Sequence, residues 1–190
     1  SSAADLPFDN LSSVTSDDTM AAAMAIDGLL ELGHRNVVVI GGHRDYSEIS
    51  RLRHQGCLQA FQNRGLTFDE DQYETARFTF MGGYRAAKAL LERNPDFTAL
   101  FAMSDVMALG AIRALADAGK RVPEDISIIG FDGLQIGEYT LPRLSTVAQS
   151  VEQLAQRSMS LLLQSIENGA AASHEVVPVQ LLLRESLRKL

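Results

Sequence analysis

The sequence predicts an α/β fold, a parallel sheet flanked by helices. Three observations carry that expectation. Strand and helix signals alternate from about residue 14 to residue 132 with short connections, the rhythm of β-α units feeding a parallel sheet. The predicted helices close on Gly33, Gly65 and Gly119, as helices ending in a left-handed residue do. The stretch Val122-Pro123-Glu124-Asp125-Ile126-Ser127-Ile128-Ile129-Gly130-Phe131-Asp132-Gly133 reads as a turn, a buried β-branched strand and an acidic residue just past the strand's end.

Taken in order, residues 20–32 form a helix. Asp17, Asp18 or Thr19 caps it, and Ala, Met, Ile and Leu fill one side. Residues 37–40 are a pure apolar strand ending at Gly41-Gly42, and 50–63 are the next helix. A strand is expected at 72–78 and a helix at 82–92, followed by Asn94-Pro95. A strand at 98–103, a helix at 105–118 and the strand at 126–131 complete the alternation. Beyond Asp132 the rhythm breaks. Residues 133–142 are a loop or short helix, 144–148 a strand or crossover, and 151–168 a long helix. Residues 169–173 are a linker of small residues, and 176–183 a final strand. Residues 1–16 are polar, with no long apolar strand before the first helix, so the chain is expected to start partway through a larger protein.

Composition narrows the function. At 46% hydrophobic and 22% charged residues the chain is an ordinary globular one. A net charge of −7 argues against these residues gripping a phosphate backbone, which needs clustered Lys and Arg. No apolar run approaches a membrane span, and no secretory signal is visible. The single cysteine, Cys57, reads as a small buried apolar residue and fits a reducing compartment. Four scattered histidines and one cysteine give no metal-ligand spacing, so neither metal nor cofactor is expected.

In a parallel sheet the predicted strand ends share one rim, the default crevice for a ligand. They end at Gly41-Gly42, at Phe78, at Ser104-Asp105 and at Asp132. Gly41-Gly42 matches neither phosphate-loop pattern and reads as a tight turn. Arg51 and Arg53 fall in the first turn of the predicted helix, where a cation is disfavoured by roughly 0.3–1 kcal/mol. Solvent, a carboxylate or ligand oxygens can offset that. Ser104 and Asp105 are either caps or crevice residues, Asp132 a turn residue or an acceptor, and Phe78 core or a stacking platform. Catalysis is poorly supplied: there is no Gly-x-Ser-x-Gly elbow, and an Asp105/Asp132 pair lacks a nucleophile or a third ligand. No enzyme is expected.

The segment at 122–132 resembles the "VPEDISVIGFDD" of the LacI/GalR transcriptional regulators, and the likeness runs over nearly the whole chain. Leu32-Gly33-His34-Arg35-Asn36-Val37 with Ile40-Gly41-Gly42 resembles that family's "LGHRRIAFIGG". Arg53-His54-Gln55-Gly56 resembles "RLAGF", Gly83-Tyr84-Arg85-Ala86 "GYRA", and Ser104-Asp105-Val106-Met107-Ala108-Leu109-Gly110-Ala111 "NDxMAxGA". Pro142-Arg143-Leu144-Ser145-Thr146-Val147 resembles "PPLTTV", and Leu183-Arg184-Glu185-Ser186 the closing "VRRES". Ser104 stands where many members carry asparagine, and Gly133 replaces the usual second aspartate.

The resemblance implies a periplasmic-binding-protein-like effector domain of type I. Residues 17–143 and 174–190 would be mainly its C-terminal lobe, and 144–173 a segment of the N-terminal lobe. Most of that N-terminal lobe, the hinge helix and the helix-turn-helix headpiece would be missing. Helix 151–168, which in relatives packs on the N-terminal lobe, would then be left exposed, swapped or held by a second chain. The resemblance further implies a cytoplasmic ligand sensor, binding a sugar or, less readily, a purine. Arg53 would donate to the effector, Phe78 stack on it, Asp132 accept from it, and Ser104 line the same site. Family dimers pair through the helix matching 107–118 and the segment after Asp132, so a homodimer is expected, touching DNA only through the absent headpiece. The alternatives are a periplasmic-type sugar-binding protein of a transporter and, more remotely, an enzyme on the same kind of sheet.

Overall fold

Val37, Val38, Val39 and Ile40 are fully buried, as an uninterrupted apolar run must be when a strand is covered on both faces. They form β2 (Val37–Gly41). The structure, a computed structural model, describes residues 11–168 and 171–190. The expected polar lead-in over residues 1–10 and the start of the small-residue linker at 169–170 lie outside the described residues.

β2 pairs in parallel with β3 (Tyr73–Thr75) on one side and β4 (Ala99–Ala102) on the other. β5 (Ser127–Asp132) and β6 (Ser145–Gln149) continue the parallel sheet, and β8 (Val179–Leu182) runs antiparallel along β6. The order is β3-β2-β4-β5-β6-β8. Leu100, Phe101, Ile128, Ile129 and Phe131 are fully buried in its middle, each apolar side chain contributing roughly 1.5–3 kcal/mol by leaving water.

α1 (Asp18–Glu31) packs against α2 (Glu48–Asn63), and α3 (Phe80–Arg93) against α4 (Asp105–Asp117). Right-handed crossovers put the two pairs on opposite faces of the sheet. β2 and β4 are neighbours whose following helices leave to different faces, so the switch point lies between their carboxyl ends, at Gly42 and Ser104. Open α/β sheets hold ligands in the crevice at such a point.

A smaller unit adjoins this body. β1 (Ser13–Ser16) pairs in parallel with β7 (His174–Val177), and α5 (Val151–Asn168) packs on both strands. Of the described α5 side chains only Leu161 is buried, while Met159, Leu162, Leu163 and Ile166 are exposed.

Beyond shifts of one or two residues at element ends, the structure departs from expectation in four places. β1 precedes the first helix although Ser13-Val14-Thr15-Ser16 carries little apolar signal, because a strand of a two-stranded sheet is only partly covered. β3 stops at Thr75 rather than residue 78, since β2, its sole partner at this edge, ends at Gly41 opposite Thr75. The expected final strand is two strands, divided at Pro178, which has no N–H to give a ladder. The expected segment 144–173 divides too: β6 is bonded into the six-stranded sheet, while α5 belongs with β1 and β7.

Candidate functional site

Asp17 and Asp18, adjacent and chemically alike, take different work. Asp17 caps α1, accepting the Met20 N–H at 2.8 Å. That leaves the Asp18 carboxylate free to turn toward α2, where it accepts Arg53 Nε at 2.7 Å. Ser47 caps α2 and accepts the Ser50 N–H, so the helix begins at Glu48, two residues earlier than expected. Arg53 therefore stands in the second turn, clear of the unfavourable end of the dipole. Arg51 remains in the first turn and pairs with Glu48 at 3.5 Å.

Arg53 is 5% exposed. Its Nη1 donates to the Met103 carbonyl at 2.5 Å, and its Cζ lies 3.6 Å from the centroid of the Phe131 ring. One buried guanidinium thus ties the β1–α1 junction to the ends of β4 and β5. Such a planar cation stacks and donates at once, which an ammonium cannot do. Nε and one N–H of Nη1 are committed to Asp18 and Met103.

Ser104, next to Met103, caps α4 by accepting the Met107 N–H at 3.2 Å and is buried. The capping role leaves its hydroxyl proton available. Asp132, next to Phe131, ends β5 with φ 113°, the one described non-glycine residue at positive φ. Its carboxylate accepts the Gln149 side-chain amide at 3.1 Å. Burial pushes its pKa up to about 6; Arg53 opposes the shift, and Asp105 and Asp18 reinforce it. Phe78 lies in the loop before α3 and is 42% exposed. A Cβ on Gly42 would sit 2.7 Å from its Cε2 and would collide with Ser50 Oγ. Glycine at 42 is what lets the ring lie on this bend.

The structure thus joins Arg53 to the residues beside Ser104 and Asp132, and sets Phe78 on the Gly41-Gly42 bend of the same rim. Sequence reasoning missed Asp18 and Gln149, the direct partners of Arg53 and Asp132. Both line a pocket of about 240 Å³ with Val14, Ser16, Glu48 and Leu154, between the sheet rim and the smaller unit. None of the four expected residues is among those lining it. Ser16 Oγ is buried here and has no hydrogen-bond partner among the described residues. Asp18 carried a usable signal, a second acid beside the cap, whereas Gln149 carried none. A larger open groove of about 610 Å³ runs between β3 and α3, with Arg77 and Thr79, the neighbours of Phe78, on its wall.

Among the described residues no group of three or more His, Cys, Asp or Glu could hold a metal ion, and no helix is long and apolar enough to cross a membrane. Cys57 is fully buried, and burial pushes its thiol pKa far up, so it is held as the thiol.

Comparison with known proteins places this geometry in context. Residues 26–187 match the family model for a periplasmic binding protein-like domain. The chain is 33% identical over 183 residues to the HTH-type transcriptional regulator CelR of Thermobifida fusca, covering 95% of this chain and 53% of that protein. It is 35% identical over 181 residues to the HTH-type transcriptional repressor CytR of Escherichia coli K12, with the same coverage. Among solved structures, a CelR–cellobiose complex superposes with a TM-score of 0.90 at 33% identity, over 96% of this chain and 56% of that one. A LacI family regulator from Enterococcus faecium with bound ribose gives 0.86 at 32% identity, over 94% and 66%. These relatives are transcriptional regulators, not enzymes, and the chain spans about half the length of the curated proteins it matches.

Proposed function

The chain belongs to the periplasmic-binding-protein-like effector domains of LacI-family regulators, and from that premise we propose that it senses a small sugar at the rim formed by Arg53, Phe78, Ser104 and Asp132. The observation that carries this reading is Arg53 itself. It is buried, paired with Asp18, bonded to the Met103 carbonyl and stacked on Phe131. Its remaining N–H groups and the Ser104 hydroxyl donate to the ligand. Asp132, an acceptor, takes hydroxyl protons, and the half-exposed Phe78 ring covers an apolar sugar face. The bound cellobiose and ribose in two similar structures support a sugar over a purine.

The pocket at Asp18 and Gln149 lies between the sheet and the unit of β1, β7 and α5, which we assign to a second lobe. An effector held on the neighbouring rim and reaching toward this pocket changes the angle between lobes through its differential affinity for the open and closed states. In the longer protein that change reaches a helix-turn-helix domain on DNA, in the cytoplasm and in a homodimer. Thermal unfolding of the full-length protein against sugars, sugar phosphates and purines tests the assignment. A saturable rise with one sugar supports it, since a ligand that binds only the native state stabilises by mass action. A rise with purines alone, or with none of the panel, contradicts it.

A further inference from the structure

Asp105 is completely buried yet makes no ion pair among the described residues. Both its oxygens are nonetheless occupied. Oδ2 accepts the Leu134 N–H at 2.6 Å, and Oδ1 accepts the Thr146 hydroxyl at 2.7 Å. Thr146 Oγ1 in turn accepts the Gly133 N–H at 3.2 Å. The carboxylate therefore grips the bend that follows β5 at two successive amides, Leu134 directly and Gly133 both through the Thr146 hydroxyl and by its own pull on the N–H. Within that bend Asp132 has φ 113° and Gly133 φ 76°. Side chains with a Cβ rarely adopt such a backbone unless their surroundings impose it.

The neighbouring residues make room for this grip. A Cβ on Gly130 would collide with Asp105 Oδ1, and one on Gly133 would sit 2.5 Å from the Ala148 Cβ. Thr146 and Gln149 stand three residues apart on β6, the first bonded to Asp105 and the second to Asp132. One strand thus braces both the clamp and the residue it holds. A carboxylate suits the position because two donors converge on it, and it offers only acceptors. An amide would present a donor to one of them.

We propose that Asp105 is a positioning residue that holds Asp132 in its left-handed backbone conformation through Leu134 and, by way of Thr146, Gly133. It is neither an effector contact nor half of an acid/base pair. Its bearing on effector binding rests on the reading of Asp132 as an effector contact. The charged groups that bear on Asp132 are Arg53, Asp105 and Asp18.

The test compares the protein with Asp105→Asn, Thr146→Val and Thr146→Ser by NMR, after each variant is shown to unfold cooperatively. The readouts are the amide-to-Hα coupling of Asp132 and hydrogen exchange at Gly133 and Leu134. Asp105→Asn is expected to accelerate exchange at Leu134 by about tenfold or more, the loss of a hydrogen bond to a charged acceptor. Thr146→Val is expected to accelerate exchange at Gly133. Both shift the Asp132 coupling away from its positive-φ value, and Thr146→Ser, which keeps the hydroxyl, restores it. Unchanged coupling and exchange in both Asp105→Asn and Thr146→Val overturn the proposal. D-ribose and cellobiose are then added to the unsubstituted protein. Failure of both to move the Asp132 resonances counts against the effector reading, while coupling and exchange alone decide the clamp.

Discussion

Arg53 and Asp18 meet at 2.7 Å across 35 residues of chain, with their side chains 6% and 16% exposed. Few solvent molecules screen this pair, and it fastens α2 to the point where β1 passes into α1. Removing one member strands the other away from water. Arg53→Ala is therefore expected to destabilise the protein by about 3 kcal/mol, the lower end for breaking a buried pair. Arg53→Lys keeps the charge but loses the planar stack on Phe131, and its loss is smaller. Urea denaturation midpoints check both values.

The raised pKa of Asp132 sets a pH dependence with a definite sign. Its folded value of about 6 lies above the ordinary unfolded value near 3.9. Ionising it therefore destabilises the ligand-free protein, and stability falls as pH rises through that window. Sugar binding runs the other way, because the ionised carboxylate is the better acceptor. Affinity should weaken as pH falls from about 7 to about 5. Asp132→Asn is expected to bind weakly and to lose this dependence, and titrations at both ends of the range check it.

Gly42 is the support of Phe78. Gly42→Ala puts a methyl group 2.7 Å from the ring and against Ser50, so the ring must shift. Overpacking of this kind costs about 1–3 kcal/mol. The expected result is that loss of stability together with weaker sugar binding. Full retention of affinity would show that Phe78 is not a platform.

The segment after Asp132 leaves Ile136, Tyr139 and Leu141 exposed, Leu141 at 92%. A solitary exposed apolar residue is ordinary, but a run of them marks a contact surface. On the proposed homodimer, Leu141→Asp is expected to shift the full-length protein from dimer to monomer in sedimentation while leaving its sugar affinity unchanged.

How much of this was legible in the sequence follows from what each residue does. The central strands were plain because Val37 to Ile40 and Ile128 to Phe131 are buried on both faces and must be apolar throughout. The helix ends were plain because Gly33, Gly65 and Gly119 do adopt positive φ. That β2, β4 and β5 end on one rim followed from the parallel order, whereas Phe78 lies three residues beyond the end of β3. β1 was hidden because its partner β7 covers so little of it, and the short β3 because its pairing ends with β2. Asp18 and Asp105 both looked like caps. Only the three-dimensional structure separates the Asp17 cap from the Asp18 ion pair, or the Ser104 cap from the Asp105 clamp. Gln149 is an ordinary polar residue in sequence, and its bond to Asp132 depends on the register of β5 with β6.

The central claim is that Asp132 and Arg53 hold a sugar at this rim. Calorimetric titration of the stabilising sugar into the full-length protein and into Asp132→Ala tests it most directly. Loss of charge-assisted hydrogen bonds predicts an affinity lower by about tenfold to a hundredfold in a variant that remains folded. An unchanged affinity in folded Asp132→Ala would contradict the account and place the effector elsewhere.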